Sequence, residues 1–291
     1  MNAISFFYKV CFHTARLWPD KFYVKLQHRA IMGSWPDLEN PKTFQEKIQW
    51  LKLQDHKSIY TTMVDKYEAK AFIEERVGKE YVIPTLGIYD NIAQIDYSAL
   101  PNTFVIKTTH DSGTVIVCKD KSDLDLKKNN KLLRKSLRRN YFYSEREWPY
   151  KNVKPRIIVE VNINENGGDL SDYKFYCFNG EPKILYITTN RGGEGGLRED
   201  YFDVDGNHIE VTQKGYPNND KTPQLPHSFD KMKEMARVLS KDIPHLRVDF
   251  YEVNNKVYVG ELTFSDGGGY APFDPEQYDR IIGEWIKLPN T

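Results

Sequence analysis

Residues 246–269 read LRVDFYEVNNKVYVGELTFSDGGG, two runs rich in β-branched and aromatic residues on either side of Asn254–Asn255. Such runs around a turn-forming pair predict a β-hairpin. Side chains alternate between the two faces of a strand. Leu246, Val248 and Phe250 therefore share one face of the first strand, and Arg247, Asp249 and Tyr251 share the other. In the second strand Leu262 and Phe264 oppose Glu261 and Thr263. A two-residue loop at Asn254–Asn255 pairs Val253 with Lys256, sets Val248 beside Glu261 and mixes the faces. A three-residue loop, Asn254–Lys256, pairs Val253 with Val257 and sets Val248 beside Leu262. It also brings Asp249 to Glu261 and Arg247 to Thr263. A one-residue slip reverses every side chain, so the clean segregation selects the three-residue register.

That register places two carboxylates side by side, with an arginine and a threonine next to them. Like charges directly opposite destabilise a sheet. A divalent cation removes the cost, and hard oxygen ligands suit Mg²⁺, which often uses one or two carboxylates plus substrate phosphates. An exposed strand pair whose charges Arg247 and Lys256 offset is the other reading of the same residues.

The rest of the composition bounds the class. The chain has 291 residues, 40% hydrophobic and 28% charged, which suits a soluble globular protein of one large or two modest domains. Lys plus Arg and Asp plus Glu are 41 each, so no strong positive field points to a nucleic-acid partner. Cys11, Cys118 and Cys177 have no paired spacing and read as reduced thiols of a cytoplasmic protein. The apolar start is broken by Lys9 and His13. It predicts neither a signal peptide nor a membrane span.

Residues 1–33 are aromatic and basic, with Phe6, Phe7, Phe12, Trp18 and Phe22 among Lys9, Arg16, Lys21 and Lys25. Ordinary packing helices have this composition, and that reading is favoured. Helices lying on a membrane surface share it, so peripheral contact at the inner face of the membrane is the second reading. Thr43-Phe-Gln-Glu46 is a capping box that opens a helix to about Leu53. One helix is expected from about Thr62 to Val77, stopped by Gly78. Thr103–Lys107 and Thr114–Cys118 read as strands around the polar loop Thr108–Gly113. Such a loop can turn backbone N–H groups toward phosphate, but taken alone an ordinary hairpin turn is the favoured account. A basic helix is expected from Ser122 to Asn140, capped by Ser122. Arg156–Glu160 is a short strand. Asp172–Phe178 and Lys183–Ile187 flank the turn signal Asn179–Gly180. Ser228–Ser240 is an amphipathic helix, and Asp274–Pro275 is expected to open the last one, with Tyr278, Ile281, Ile282 and Trp285 on its inner face.

The order of these signals carries more than any one of them. A DKxxxK helix, VIK with a small-residue loop, a strand ending in Glu160, a strand starting at Asp172, and RxD with ExT on a hairpin together resemble the ATP-grasp superfamily. NPKTFQEKIQWLKL, REWPYKNVKPRI, DYKFYCFNGEPK and RVDFYEVNNKVYVGELTF are most similar to its TupA-like family of bacterial polysaccharide biosynthesis. The resemblance covers most of the chain from about Asn40 to Phe264. It implies an α+β, ATP-grasp fold with two α+β lobes clamping ATP, here behind a helical aromatic and basic N-terminal segment. The expected divisions are 1–80 (helical), 81–155 (lid lobe) and 156–291 (C-terminal lobe with the metal-binding hairpin).

The resemblance also implies residue roles. Lys70 and Lys107 contact the ATP phosphates, and the loop carrying His110, Ser112 and Gly113 folds over them. Glu160 lies beside the adenine, Asp172 accepts the ribose hydroxyls, and Lys174 joins the nucleotide contacts. Asp249, Glu261 and Thr263 hold Mg²⁺, while Arg247, with Lys107, stabilises the transferred phosphate. The pattern departs at Thr263, where many relatives carry Asn. It departs again at the first sixty residues, which lack the usual glycine-rich βαβ domain. The implied activity is an ATP-dependent, ADP-forming carboxylate–amine ligase. It would join an amino acid or other amine to a uronic acid of a surface polysaccharide or its precursor through an acyl phosphate. The competing readings are a sugar kinase or glycosyltransferase, and a non-catalytic module that binds glycan or membrane.

Overall fold

The computed structural model describes residues 3–289 apart from 165, 166, 169, 192 and 214. The N-terminal region is helical, as expected. Helices α1 (Ala3–His13) and α2 (Asp20–Met32) pack together, burying Cys11, Ala15, Tyr23 and Leu26 beneath Trp18 and Tyr143. Helix α3 (Phe44–Gln54) starts at the capping box: the Thr43 hydroxyl accepts the Glu46 N–H, and the Glu46 carboxylate accepts the Thr43 N–H.

The single helix expected from about Thr62 to Val77 is broken in two. Helix α4 (Ile59–Val64) ends before Asp65, and α5 (Glu68–Val77) begins after it. The Asp65 carboxylate accepts the N–H groups of Tyr67 at 2.9 Å and Glu68 at 3.4 Å. An aspartate that bonds the backbone in this way competes with helix continuation and caps the next turn. The Lys66 N–H freed by the break bonds the Thr109 carbonyl at 3.1 Å.

The first sheet has the antiparallel order β1-β4-β2-β3, from β1 (Thr85–Tyr89), β2 (Phe104–Thr108), β3 (Val115–Cys118) and β4 (Ile157–Val161). Alternation puts Phe104, Ile106, Ile116, Ile157 and Val159 into a core with Leu133. Leu133 belongs to α6 (Leu126–Leu137), which is followed by α7 (Phe142–Glu145). The expected cap at Ser122 is corrected. Asp125 caps α6 by accepting the Lys128 N–H at 2.9 Å, while Ser122 lies in a separate short turn held by Asp120. A boundary at residue 156 would cut β4 from the sheet in which it pairs with β1 and β2.

The second sheet has the order β11-β10-β5-β6-β7-β8. Its strands are β5 (Asp172–Phe178), β6 (Glu181–Thr189), β7 (Arg198–Asp203), β8 (His208–Ile209), β10 (His245–Val253) and β11 (Lys256–Thr263). Strands β9 (Thr212–Gln213) and β12 (Phe273–Asp274) pair separately. One face of the large sheet buries Phe175, Leu185, Val248, Phe250 and Leu262. Against it pack Met63 and Phe72 of the early helices and Met232 and Met235 of α8 (Phe229–Leu239). The opposite face buries Tyr176, Ile184, Tyr186 and Tyr201 against Phe44 and Ile48 of α3 and Ile282 of α9 (Gln277–Trp285). The early helices thus complete the core of the second lobe on both sides of its sheet.

Helix α9 starts later than expected. Asp274 pairs with Thr212 in a strand, the Asp274–Pro275 bond is cis, and the helix opens at Gln277. Ile281 is 39% exposed, so only Ile282, with Tyr278 and Trp285 partly, meets the core.

The hairpin corrects one part of the expected register and keeps another. Asp249 faces Glu261, Arg247 faces Thr263 and Val248 faces Leu262. The turn, however, is a two-residue loop, because Val253 pairs with Lys256 and both Asn254 and Asn255 have positive φ. A bulge between Asp249 and Phe250 supplies the missing shift by leaving Gly260 unpaired. A Cβ on Gly260 would lie 2.6 Å from the Tyr251 ring, so the bulge needs glycine there.

Candidate active site

The polar ends of both sheets face each other across a cleft of about 2090 Å³. The first sheet contributes Val105, Lys107, Val115, Val117 and Glu160 from the face opposite its core. The second contributes Asp172, Lys174, Tyr186, Arg247, Asp249 and Glu261. These last six share one face because their positions have one parity along their strands, and Tyr176, opposite Arg247, continues that face into the core beside Tyr186.

Arg247 is the centre of the second wall. Its guanidinium grips Asp249 with two hydrogen bonds, each 2.7 Å, and pairs with Asp266. The Nη2 atom also meets Thr263 Oγ1 at 3.1 Å and Glu261 Oε2 at 3.4 Å. Three hard oxygen donors, from Asp249, Glu261 and Thr263, therefore converge on one cationic atom. Hard oxygen donors of this kind suit Mg²⁺. Among the described residues no group of three or more His, Cys, Asp or Glu side chains is arranged to hold a metal. Any cation here needs the threonine hydroxyl or a ligand to complete its shell.

Lys174 donates to Asp249 at 2.7 Å and lies 3.7 Å from Asp172, which also pairs with Arg191. Burial opposes ionisation of Asp172, but Lys174 and Arg191 hold its carboxyl below the usual range. Burial likewise works against Glu261, and Lys66 and Arg247 outweigh it, so this group too ionises more readily than usual.

Across the cleft Glu160 is clamped between Lys70 and Lys107, the latter at 2.7 Å. Burial would raise its pKa, yet the two ammonium groups bring it below the usual carboxylate range. Lys70 also donates to the Ile83 carbonyl at 2.6 Å and, with Lys107 and Glu160, lines a small pocket adjoining the main cleft. The loop after β2 presents Ser112 and Gly113 to the cleft. His110 does not join them. It is buried, with Nε2 3.1 Å from the Ser136 carbonyl, because the loop folds around Asp111 and carries the imidazole inward. Asp111 accepts from Thr108 at 2.5 Å, Thr114 at 2.7 Å and Ser136 at 2.6 Å, pinning both ends of the loop to α6.

Three residues line the site that sequence reasoning had left without a role, and a fourth, buried, holds its loop. The break at Asp65 turns Lys66 into the cleft, where it donates to the Asp111 carbonyl and lies 3.9 Å from Glu261. Asp266 pairs with Arg247 and accepts from Tyr176 and, at 3.2 Å, from Tyr186. Its signal was an acid before three glycines. Glu199 borders the cleft with Tyr201 donating to it at 3.0 Å, and burial pushes its carboxyl up to about 7. Asp111 was legible only as one polar residue of a loop.

A family model described as TupA-like ATP-grasp matches residues 46–287. No curated protein matches the chain. Among solved structures, D-alanine–D-alanine ligase from Bacillus anthracis in complex with ATP is similar at 13% identity and a TM-score of 0.39, over 70% of this chain and 54% of that one. The ATP-grasp ligase PsnB with its minimal precursor, Mg and ADP is similar at 10% identity and 0.40, over 82% and 60%. An N5-carboxyaminoimidazole ribonucleotide synthetase with ADP is similar at 14% identity and 0.43, over 84% and 57%. The chain thus spans little more than half the length of these structures.

Proposed function

This chain belongs to the TupA-like ATP-grasp family, and from that premise we propose that it is an ATP-dependent, ADP-forming carboxylate–amine ligase. One observation carries the reading: a single cleft holds cations on both walls and two carboxylates with a hydroxyl converging on Arg247 Nη2. In this reading the triphosphate lies between Lys107 and Lys66 on one side and Lys174 on the other, with Lys70 steadying Glu160. Ser112 and Gly113 cover the phosphates from a loop whose base Asp111 holds still. Glu160 stands on the adenine side and Asp172 on the ribose side. Asp249, Glu261 and Thr263 hold Mg²⁺, which when bound polarises the phosphate oxygens as a Lewis acid. Arg247 is already fixed by Asp249 and Asp266, so it offers preorganised positive charge where charge develops on the transferred phosphate.

The acceptor carboxylate attacks the terminal phosphate and forms an acyl phosphate, which the amine then consumes. The family's part in polysaccharide biosynthesis supports a uronic acid as the carboxylate. Peripheral membrane contact is the second reading of residues 1–33, after packing. It is supported by Phe7 at 44%, Phe12 at 41% and Leu17 at 79% exposure beside the exposed Lys9, Arg16 and Lys21. Among the described residues no helix is long and apolar enough to cross a membrane.

The test is isotopic. With ATP, Mg²⁺, an amine and a uronic acid carrying oxygen-18 in its carboxylate, one label should pass to the released phosphate and ADP should accumulate. AMP with pyrophosphate would mean an adenylate route. A stable phosphorylated sugar would mean a kinase. Either result would end the ligase proposal.

A further inference from the structure

The carboxylates that the two large sheets turn to the cleft are not equivalent. Glu160 is engaged by Lys70 and Lys107, Asp172 by Lys174 and Arg191, Asp249 by Lys174 and Arg247, and Glu261 by Lys66 and Arg247. Such pairing favours the charged form and occupies its oxygens, so these groups are poor proton acceptors. Glu199 also borders the cleft, and it differs. Among the described residues it makes no ion pair, and its side chain has one hydrogen bond, from the Tyr201 hydroxyl to Oε2 at 3.0 Å. Its Oε1 is left for a ligand or water.

Backbone register fixes where Glu199 points. Asp172 pairs with Thr188 on β6, and Thr188 pairs with Glu199 on β7. Directly paired residues share a face, so Glu199 looks into the cleft from the same wall as Asp172, two strand spacings or roughly 10 Å away. The strand is held there from its outer side. The Glu199 N–H donates to the Pro217 carbonyl at 3.1 Å, and the Glu199 carbonyl accepts from Asn218 at 2.7 Å. A run of contacts ties the carboxylate to Arg247. Arg247 Nη1 lies 3.3 Å from the Tyr186 hydroxyl, the Tyr186 ring stacks on Tyr201 at 5.0 Å, and Tyr201 donates to Glu199. The guanidinium thus has two sides. Nη2 meets the oxygens of Asp249, Glu261 and Thr263, whereas Nη1 meets Asp266 and the tyrosines that lead to Glu199.

We propose that Glu199 is the general base of the amine step, taking the proton that the attacking nitrogen must lose. The proposal rests on the ligase reading above. With phosphate on the Nη2 side, the acyl carbon and the incoming amine lie on the Nη1 side, between Arg247 and Glu199. The neutral amine attacks the acyl carbon, the C–N bond forms, and the nitrogen becomes cationic. Glu199 accepts one proton from it. The bond from the acyl carbon to the phosphate oxygen breaks, and phosphate leaves with the bonding pair. Glu199 then gives its proton to water in the cleft. A base works best when its pKa lies near the working pH. Burial and the Asp266 carboxylate push Glu199 up to about 7, against the Tyr201 hydrogen bond and the charges of Lys174 and Arg247. Tyr176 and Tyr186 face the same group and stay neutral, because burial holds both well above their usual range.

Glucuronate and hydroxylamine serve as probes, with the full chain, ATP and Mg²⁺. Without amine, acyl phosphate formation is read as oxygen-18 moving from the β,γ-bridge of ATP to the β non-bridging positions. With hydroxylamine, the second step is read as hydroxamate. Glu199→Gln should keep the isotope exchange, ADP binding and Tm, and lower hydroxamate formation by about a hundredfold or more. The base works ionised, so the ratio of wild-type to variant rate should rise with pH and level off above about 7. Tyr201→Phe removes a hydrogen bond that favours the ionised form, so it should move that rise to higher pH. Unchanged hydroxamate formation in Glu199→Gln, loss of isotope exchange together with it at unchanged Tm, or a ratio independent of pH would overturn the proposal. If Glu199→Gln lowers Tm, Tyr201→Phe decides, and a pH profile identical to the wild type overturns it. Wild-type exchange without any hydroxamate overturns it as well. No exchange in the wild type would overturn the ligase reading, and the proposal with it.

Discussion

Replacing Arg247 by methionine removes the cation on which the second wall of the cleft converges. Arg247 and Lys174 face Asp249, Asp266 and Glu261, so the substitution leaves Lys174 as the close cation of that group, with Lys66 at 3.9 Å from Glu261. Arg247, Asp249 and Asp266 are each less than 9% exposed, so water recovers little of the lost interaction. Removing one partner of a buried ion pair costs about 3–5 kcal/mol. For a chain of this length that corresponds to a fall in Tm of roughly 6–10 °C. The vacated position lies between Asp249 Oδ2, Glu261 Oε2 and Thr263 Oγ1, all oxygen donors within 3.4 Å of the lost Nη2. Mg²⁺ should therefore stabilise the variant, in which no guanidinium competes for these oxygens, by about 2.7 kcal/mol at a concentration about a hundredfold above its Kd. Thermal melts of both proteins with and without Mg²⁺ read both effects. A fall in Tm of less than about 2 °C would mean that Arg247 is not the compensating charge. No stabilisation of the variant by Mg²⁺ would mean that the three oxygens do not form a cation site.

Lys66→Met should weaken ADP binding by about tenfold, one charge-assisted contact, with Tm nearly unchanged because Lys66 sits at the cleft surface. Unaltered ADP titration would remove it from the site. His245 is packed among Phe44, Tyr176 and Phe178, and burial lowers its pKa from 6.5 to about 3. The folded state thus refuses a proton that the unfolded state accepts, so this contribution to stability is complete above pH 6.5 and declines as pH falls toward 3. His245→Gln should show a shallower loss over that window in acid denaturation, and identical slopes would contradict the assignment. Vesicles containing anionic lipid should sediment the full chain at low salt and release it at high salt, since surface attraction is screened. No sedimentation at low salt would leave α1 and α2 as packing helices alone.

What the sequence by itself determined is the local chemistry of strands and caps. Alternation along LRVDFYEV places Arg247 with Asp249, and alternation along GELTF places Glu261 with Thr263, because a strand's period is a backbone property. The capping box at Thr43 and the Asn179–Gly180 turn are local in the same way. Even the misjudged loop at Asn254–Asn255 left the pairing of Asp249 with Glu261 intact, since the Gly260 bulge restored the one-residue shift. Only the tertiary structure decided which polar residues face the cleft. Lys66 enters because Asp65 interrupts a helix and Thr109, more than forty positions away, accepts its N–H. His110 leaves because Ser136 and Asp111 draw its loop inward. Gln45 and Asp279 meet across 234 positions. Such pairings depend on how separate elements pack, and neither periodicity nor spacing along the chain encodes that geometry.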